Sequence, residues 1–95
     1  MTLGDASLER EILTLFRTQA AELIGALCAL PPNAADLAHK LIGSARAIGA
    51  FHVATAAENF ELAVRTGGAA SETLTTLELA VGQARTAIDA MLLQP

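Results

Sequence analysis

Apolar residues recur at helical spacing along the whole chain, and the pattern is interrupted at three places, Pro31-Pro32, Gly49 and Gly67-Gly68. A 3.6-residue period with three breaks predicts four helices. The first is expected from Asp5 or Ser7, either one a suitable N-cap, to about residue 29, with Leu8, Ile12, Leu15, Phe16, Leu23, Ile24 and Leu27 as its stripe. Asn33 can cap the second, where Asp36 in the third position helps satisfy free N–H groups, and Gly49 is placed to stop it. The third is predicted over 51–65 with Val53, Ala57, Phe60 and Val64 inward. Ser71 caps the fourth, which carries Leu74, Leu77, Val81, Ala84, Ile88 and Met91 at spacings of three, four and seven. So narrow a seam suits antiparallel packing at roughly 20°, and short connections favour sequential neighbours. The expected fold class is all-α, an antiparallel up-down four-helix bundle, with residues 1–95 as one domain.

Composition fits such a bundle. Hydrophobic residues make up 53% of the chain but aromatic ones only 3%, with no Trp or Tyr, so the core must be built from Leu, Ile, Val and Ala. A chain of 95 residues supports a modest core without metal or disulfide. The single Cys28 has no internal disulfide partner and lies in an apolar stretch, where a reduced, buried packing role is expected. A formal charge of −4 with the basic residues dispersed leaves no cationic patch, so proteins rather than nucleic acid are the expected partners. The N-terminus lacks a signal-peptide pattern and no apolar run approaches the ~18 residues of a membrane span, which predicts a soluble, cytoplasmic protein without membrane contact. No phosphate-binding Gly-rich loop and no Ser/His/Asp or Cys/His set can be assembled, so autonomous kinase or hydrolase activity is not expected. Asp36-x-x-His39 has no second copy, and only two histidines are present, which speaks against a metal site; no cofactor is expected. Glu58, Glu61, Glu72 and Glu78 read as solvated helix charges.

The stretch Ala38-His39-Lys40-Leu41-Ile42-Gly43-Ser44, followed by Ile48-Gly49-Ala50, sets a histidine well inside the second helix with a glycine one turn later. At ~100° per residue, Leu37, Leu41, Ser44 and Ile48 fall within about 40° of the side opposite His39, and Ala45 about 60° off it. These residues form the expected buried face, and His39 points outward. Around it sit Ala35, Asp36, Ile42, Gly43 and Arg46, mostly small or charged, so nothing large shields the imidazole. His52, near the start of the third helix, fits no such pattern.

On His39, Gly43, Ser44, Gly49 and Ala50 the segment resembles the histidine phosphotransfer (HPt) domains of two-component phosphorelays, whose motif runs roughly H-x-x-K-G-S followed by a G-A pair. Phe60-Glu61 is similar to the family's Leu-Glu pair on the next helix, and the four-helix pattern extends the likeness over nearly the whole chain. One position departs: Ile42 stands where the family usually carries lysine, and the chain's only lysine, Lys40, follows His39 directly. The resemblance implies a monomeric phosphoryl carrier in which His39 takes the group from the aspartate of one receiver domain and passes it to another, the receiver supplying the metal and most catalytic groups. Its partners would be receiver domains of response regulators or hybrid histidine kinases. The chemistry suits imidazole, whose neutral form, with a reference pKa of ~6.5, can attack an acyl phosphate without a dedicated base. Gly43 leaves room for the phosphoryl group, because a side chain there would lean back over the ring. Ser44, facing inward, is expected to bond its hydroxyl to the preceding turn. Ile42, read as exposed, would join Ala35, Gly43 and Arg46 in a partner-docking surface. The missing lysine leaves the phosphoryl charge to Arg46, seven residues on and only about 20° round, with Lys40, about 100° round, as second candidate. Two alternatives stand beside the carrier: a non-catalytic helical adaptor that binds receivers without exchange, which the missing lysine raises, and the phospho-accepting domain of a larger kinase.

Overall fold

A computed structural model describes residues 6–93, which form four helices: α1 (Ala6–Leu27), α2 (Ala34–Ala47), α3 (Phe51–Thr66) and α4 (Ala70–Leu92). Each helix packs on its sequence neighbours and α1 closes the ring against α4. Cross-pairs fix the directions. His39 of α2 meets Glu61 of α3 and Arg46 meets Glu58, so later residues of one helix face earlier residues of the next. Arg17 with Asp89 and Arg10 with the Leu92 carbonyl give α1 and α4 the same antiparallel relation. The expected bundle is the fold.

The breaks act as their chemistry dictates. After α2, Gly49 takes φ +79°, and the Ala50 and Gly49 N–H groups donate to the carbonyls of Ala45 (2.8 Å) and Arg46 (3.2 Å). This double bond pattern satisfies carbonyls left over at the helix end and needs a left-handed residue, which glycine adopts without Cβ strain. Gly67 (φ +71°) ends α3 likewise, with Gly68 N–H donating to Ala63 O. α1 stops sooner than expected, at Leu27, because Leu30 turns to φ +47° ahead of Pro31. That conformation costs a branched L-residue about 1–2 kcal/mol and cannot continue a right-handed helix. Cys28 is consequently in the turn and exposed rather than buried.

The caps expected for α2 and α4 are not made. Asn33 precedes α2 and Ala69 precedes α4, neither with a side-chain capping bond, and Ser71 lies inside α4. Ser7 is inside α1, and Asp5 lies outside the described residues. Asp36 and Glu72 still place carboxylates in the first turns of α2 and α4, where the helix dipole favours them.

Phe60, Leu27, Leu41, Leu77 and Val53 are the largest fully buried side chains, joined by Phe16, Leu74, Val81 and Ile88 as expected. Much of the remaining core is alanine: Ala20, Ala34, Ala38, Ala45, Ala54, Ala56 and Ala57. Leu8, Ile12, Leu15 and Met91, assigned to apolar stripes, are exposed. They lie in the outer halves of α1 and α4, which at 22 and 23 residues outrun α2 and α3 at 14 and 16. Leu23, Ile24, Val64 and Ala84 are partly buried against the core.

α2 is turned relative to its expected setting. Its buried residues are Ala34, Ala38, Leu41, Ile42 and Ala45, while Leu37, Ser44 and Ile48 are half-buried. On the helical wheel the buried set centres about 115° from His39 rather than opposite it. Ile42, expected at the surface, is only 4% exposed and belongs to the core cluster. The reason is alanine. Three of the five buried residues of α2 are alanine, and a reading weighted by bulky side chains misses them.

Ile42→Asp is therefore expected to destabilise the domain by about 3–5 kcal/mol, out of the roughly 5–15 kcal/mol typical of a whole domain, since it removes core contacts and buries an unpaired carboxylate. Urea denaturation checks this; an unchanged midpoint would return Ile42 to the surface. Gly49→Ala should cost on the order of 1 kcal/mol in the same measurement, because the left-handed turn is retained and now carries a Cβ.

Candidate functional site

α2 and α3 form a hairpin whose connection, 48–50, is three residues long. His39 lies ten residues before Gly49 and Glu61 twelve after it, about 15 and 18 Å along the two helices, so an antiparallel hairpin brings them level. The side chains meet on its outer face. His39 Nδ1 is 3.5 Å from Glu61 Oε2, with the His39 side chain 75% exposed and that of Glu61 only 17%. The imidazole thus stands in solvent beside a carboxylate sunk against the helix pair.

Glu61 is held from its own helix as well. Arg65, one turn on, donates from Nε (3.2 Å) and Nη2 (2.9 Å) to the same Oε2. Such i,i+4 pairing on an exposed helix face contributes ~0.3–0.5 kcal/mol, too little for stability but enough to bias the rotamer of Glu61. Its carboxylate is near enough to Nδ1 for its charge to act on the ring, and at 3.5 Å the contact is electrostatic rather than a hydrogen bond. A negative charge on the Nδ1 side of the ring favours the neutral tautomer with its hydrogen on Nδ1, the one whose lone pair is on Nε2.

Gly43 follows His39 by one turn, is exposed, and a Cβ built on it would meet no atom within 4 Å. Nothing inside the domain requires glycine here. Lys40 is exposed beside His39 and has no ion pair among the described residues, and Ala35, one turn earlier, is half-buried. Arg46 is exposed but does not lie free over Gly43: its Nη2 is 2.9 Å from Glu58 Oε2 across the hairpin. Ser44 makes no hydrogen bond to the preceding turn; it lines a shallow groove with Ile48, Ala47 and the α1 residues Ile12, Leu15, Phe16 and Gln19. His52 is exposed on α3 between two grooves and takes no part in the cluster.

Of the sequence-derived site residues, His39, Lys40, Gly43 and Arg46 share one exposed face of α2 and Ile42 drops out of it. Glu61 stands out in the sequence only through the Phe60-Glu61 resemblance and otherwise reads as a solvated charge; its place beside His39 is what that reading misses. Counting from Gly49 in both directions was the available signal. Among the described residues no three His, Cys, Asp or Glu side chains gather as a metal site would need, and no helix is long and apolar enough to cross a membrane.

Comparison with known proteins returns one family. The model of the Hpt domain matches residues 11–93, which take in all but the first turns of α1 and the whole of α2, α3 and α4. No curated protein and no solved structure matches the chain. With four helices in a ring and an exposed histidine on the second, the chain belongs to the Hpt domain family, the phosphocarrier modules of histidine phosphorelays.

Proposed function

We propose that this chain is a monomeric, cytoplasmic phosphoryl carrier that takes a phosphoryl group from a receiver-domain aspartate onto His39 Nε2 and returns it to another. The observation that carries the reading is the exposed imidazole with Nδ1 toward a half-sunk carboxylate and an open glycine surface one turn away. In the forward step the Nε2 lone pair attacks the phosphorus of the aspartyl phosphate. The N–P bond forms, the P–O bond to the receiver carboxylate breaks, and the bonding pair leaves with that carboxylate. The ring keeps its Nδ1 hydrogen and gains positive charge, which Glu61 offsets at close range. In the reverse step a receiver carboxylate attacks phosphorus and the neutral ring departs. No general base on this chain is required, because no proton leaves the imidazole.

Gly43 serves access in this reading. The receiver must bring its aspartate within bonding distance of Nε2, and a side chain one turn on would stand between them. Ala35, Gly43 and Arg46 supply the docking surface; Ile42, being buried, does not.

Two expected outcomes test the reading. Mixed with receiver domains charged from acetyl phosphate, the protein should gain an acid-labile, base-stable phosphoryl group, and His39→Gln should abolish it, while ATP alone labels nothing. Persistent labelling of that variant would move the site, and binding without labelling of the wild type would make the chain an adaptor. Gly43→Ala should raise the stability of the free domain by ~0.8–1 kcal/mol, because it removes an exposed helical glycine with no clash, and should slow transfer from the receiver. A variant that is both more stable and equally fast would end the access argument.

A further inference from the structure

Phosphorylation changes the charge on this face of the hairpin, and the residue that would ordinarily offset it is absent. A phosphoryl group brings up to two negative charges, here onto a ring whose other nitrogen lies 3.5 Å from the Glu61 carboxylate. The position three residues after His39, where a cation would stand one turn away, is Ile42, and its side chain is in the core. Arg46 starts about 10 Å along α2 and is engaged by Glu58 at 2.9 Å. Lys40 leaves α2 about 100° round from His39.

One cation is already connected to the histidine. We propose that Arg65, on the facing helix, supplies the positive charge that phosphorylated His39 requires, in place of the cation missing from position 42. Arg65 bonds through Nε and Nη2 to the same Glu61 oxygen that His39 Nδ1 approaches, so guanidinium, carboxylate and imidazole form a continuous chain. Of five guanidinium N–H donors, those two contacts spend two. The remaining donors, on a side chain 55% exposed, are available to phosphoryl oxygens as charge-assisted bonds. Arg65 also tempers Glu61, whose carboxylate offsets the positive ring but repels the phosphoryl oxygens. Its position in the last turn of α3 complements the helix dipole too, but that effect is the same with and without phosphate and so separates cleanly in an experiment.

The inference rests on the reading of His39 as the phospho-acceptor, and phosphoramidate tests both without any receiver. This small donor phosphorylates imidazole directly: the Nε2–P bond forms, the donor's P–N bond breaks and ammonia leaves. The ratio of phosphorylated to free protein at fixed donor concentration, followed by 31P NMR on the full chain, should fall about threefold to tenfold in Arg65→Gln at low ionic strength. The deficit should shrink as salt screens the charges. Arg65→Lys should recover most of it, and Arg17→Gln, which removes a cation paired with Asp89 between α1 and α4, should match the wild type. A wild-type ratio in Arg65→Gln, a deficit indifferent to salt, or an equal deficit in Arg17→Gln overturns the assignment to Arg65. Failure of the wild type to take up phosphoryl, or equal uptake by His39→Gln, overturns instead the reading of His39. Thermal melts of each variant exclude loss of fold as the cause.

Discussion

Everything at the site depends on how closely α2 and α3 approach. Interhelical distance is set by the side chains at the contact, and much of what these two helices bury is alanine: Ala34, Ala38 and Ala45 on one, Ala54, Ala56, Ala57 and Ala63 on the other, with Ala56 toward α4. Small residues contribute little transfer energy each, but they let the two backbones come near enough for short polar side chains at the rim to meet. Bulkier residues there would push His39 and Glu61 beyond contact without altering either of them. Leu41, Val53 and Phe60, fully buried on the same two helices, supply apolar area that holds the bundle together.

The same alanines explain what the sequence could and could not reveal. Helix number, order and ends near the glycines were legible, since proline and paired glycines limit the backbone in ways no tertiary contact reverses; α3 begins at Phe51 as its pattern requires. Caps were less legible. Asn33 and Ser71 have the right chemistry, but the turns before α2 and α4 direct the backbone elsewhere. The rotation of α2 was hidden because apolar periodicity counts large side chains, and leucine and isoleucine marked only one flank of its buried face. His39 is exposed despite that error, because an about 65° change in the core direction still leaves it on the solvent side. Ile42, nearer the boundary, crossed it. The Phe60-Glu61 pair was legible as a resemblance, but the periodicity of its own helix leaves Glu61 a solvated glutamate, and its role beside His39 needs the register of α2 against α3.

The polar face and the core divide their tasks. Among the described residues the core holds no buried polar or charged side chain, so stability draws on apolar packing and the backbone bonds of the helices. The charged residues around His39 are exposed or half-buried, and their pairs add little to folding. A change at the site can therefore alter chemistry with little thermodynamic effect, and Gly43, an open glycine in mid-helix, even leaves stability unused.

The three-residue connection at Gly49 works as a ruler. Because it joins α2 to α3 with no slack, the register between His39 and Glu61 is set by chain length alone. One residue inserted between Ile48 and Phe51 would have to break the tight turn closed by the Gly49 and Ala50 N–H bonds, loosening the start of α3 and with it the register of the carboxylate. The six-residue connection at 28–33 imposes no such tie on the site. Length variation among relatives of this chain should accordingly gather between the first two helices and be absent between the second and third.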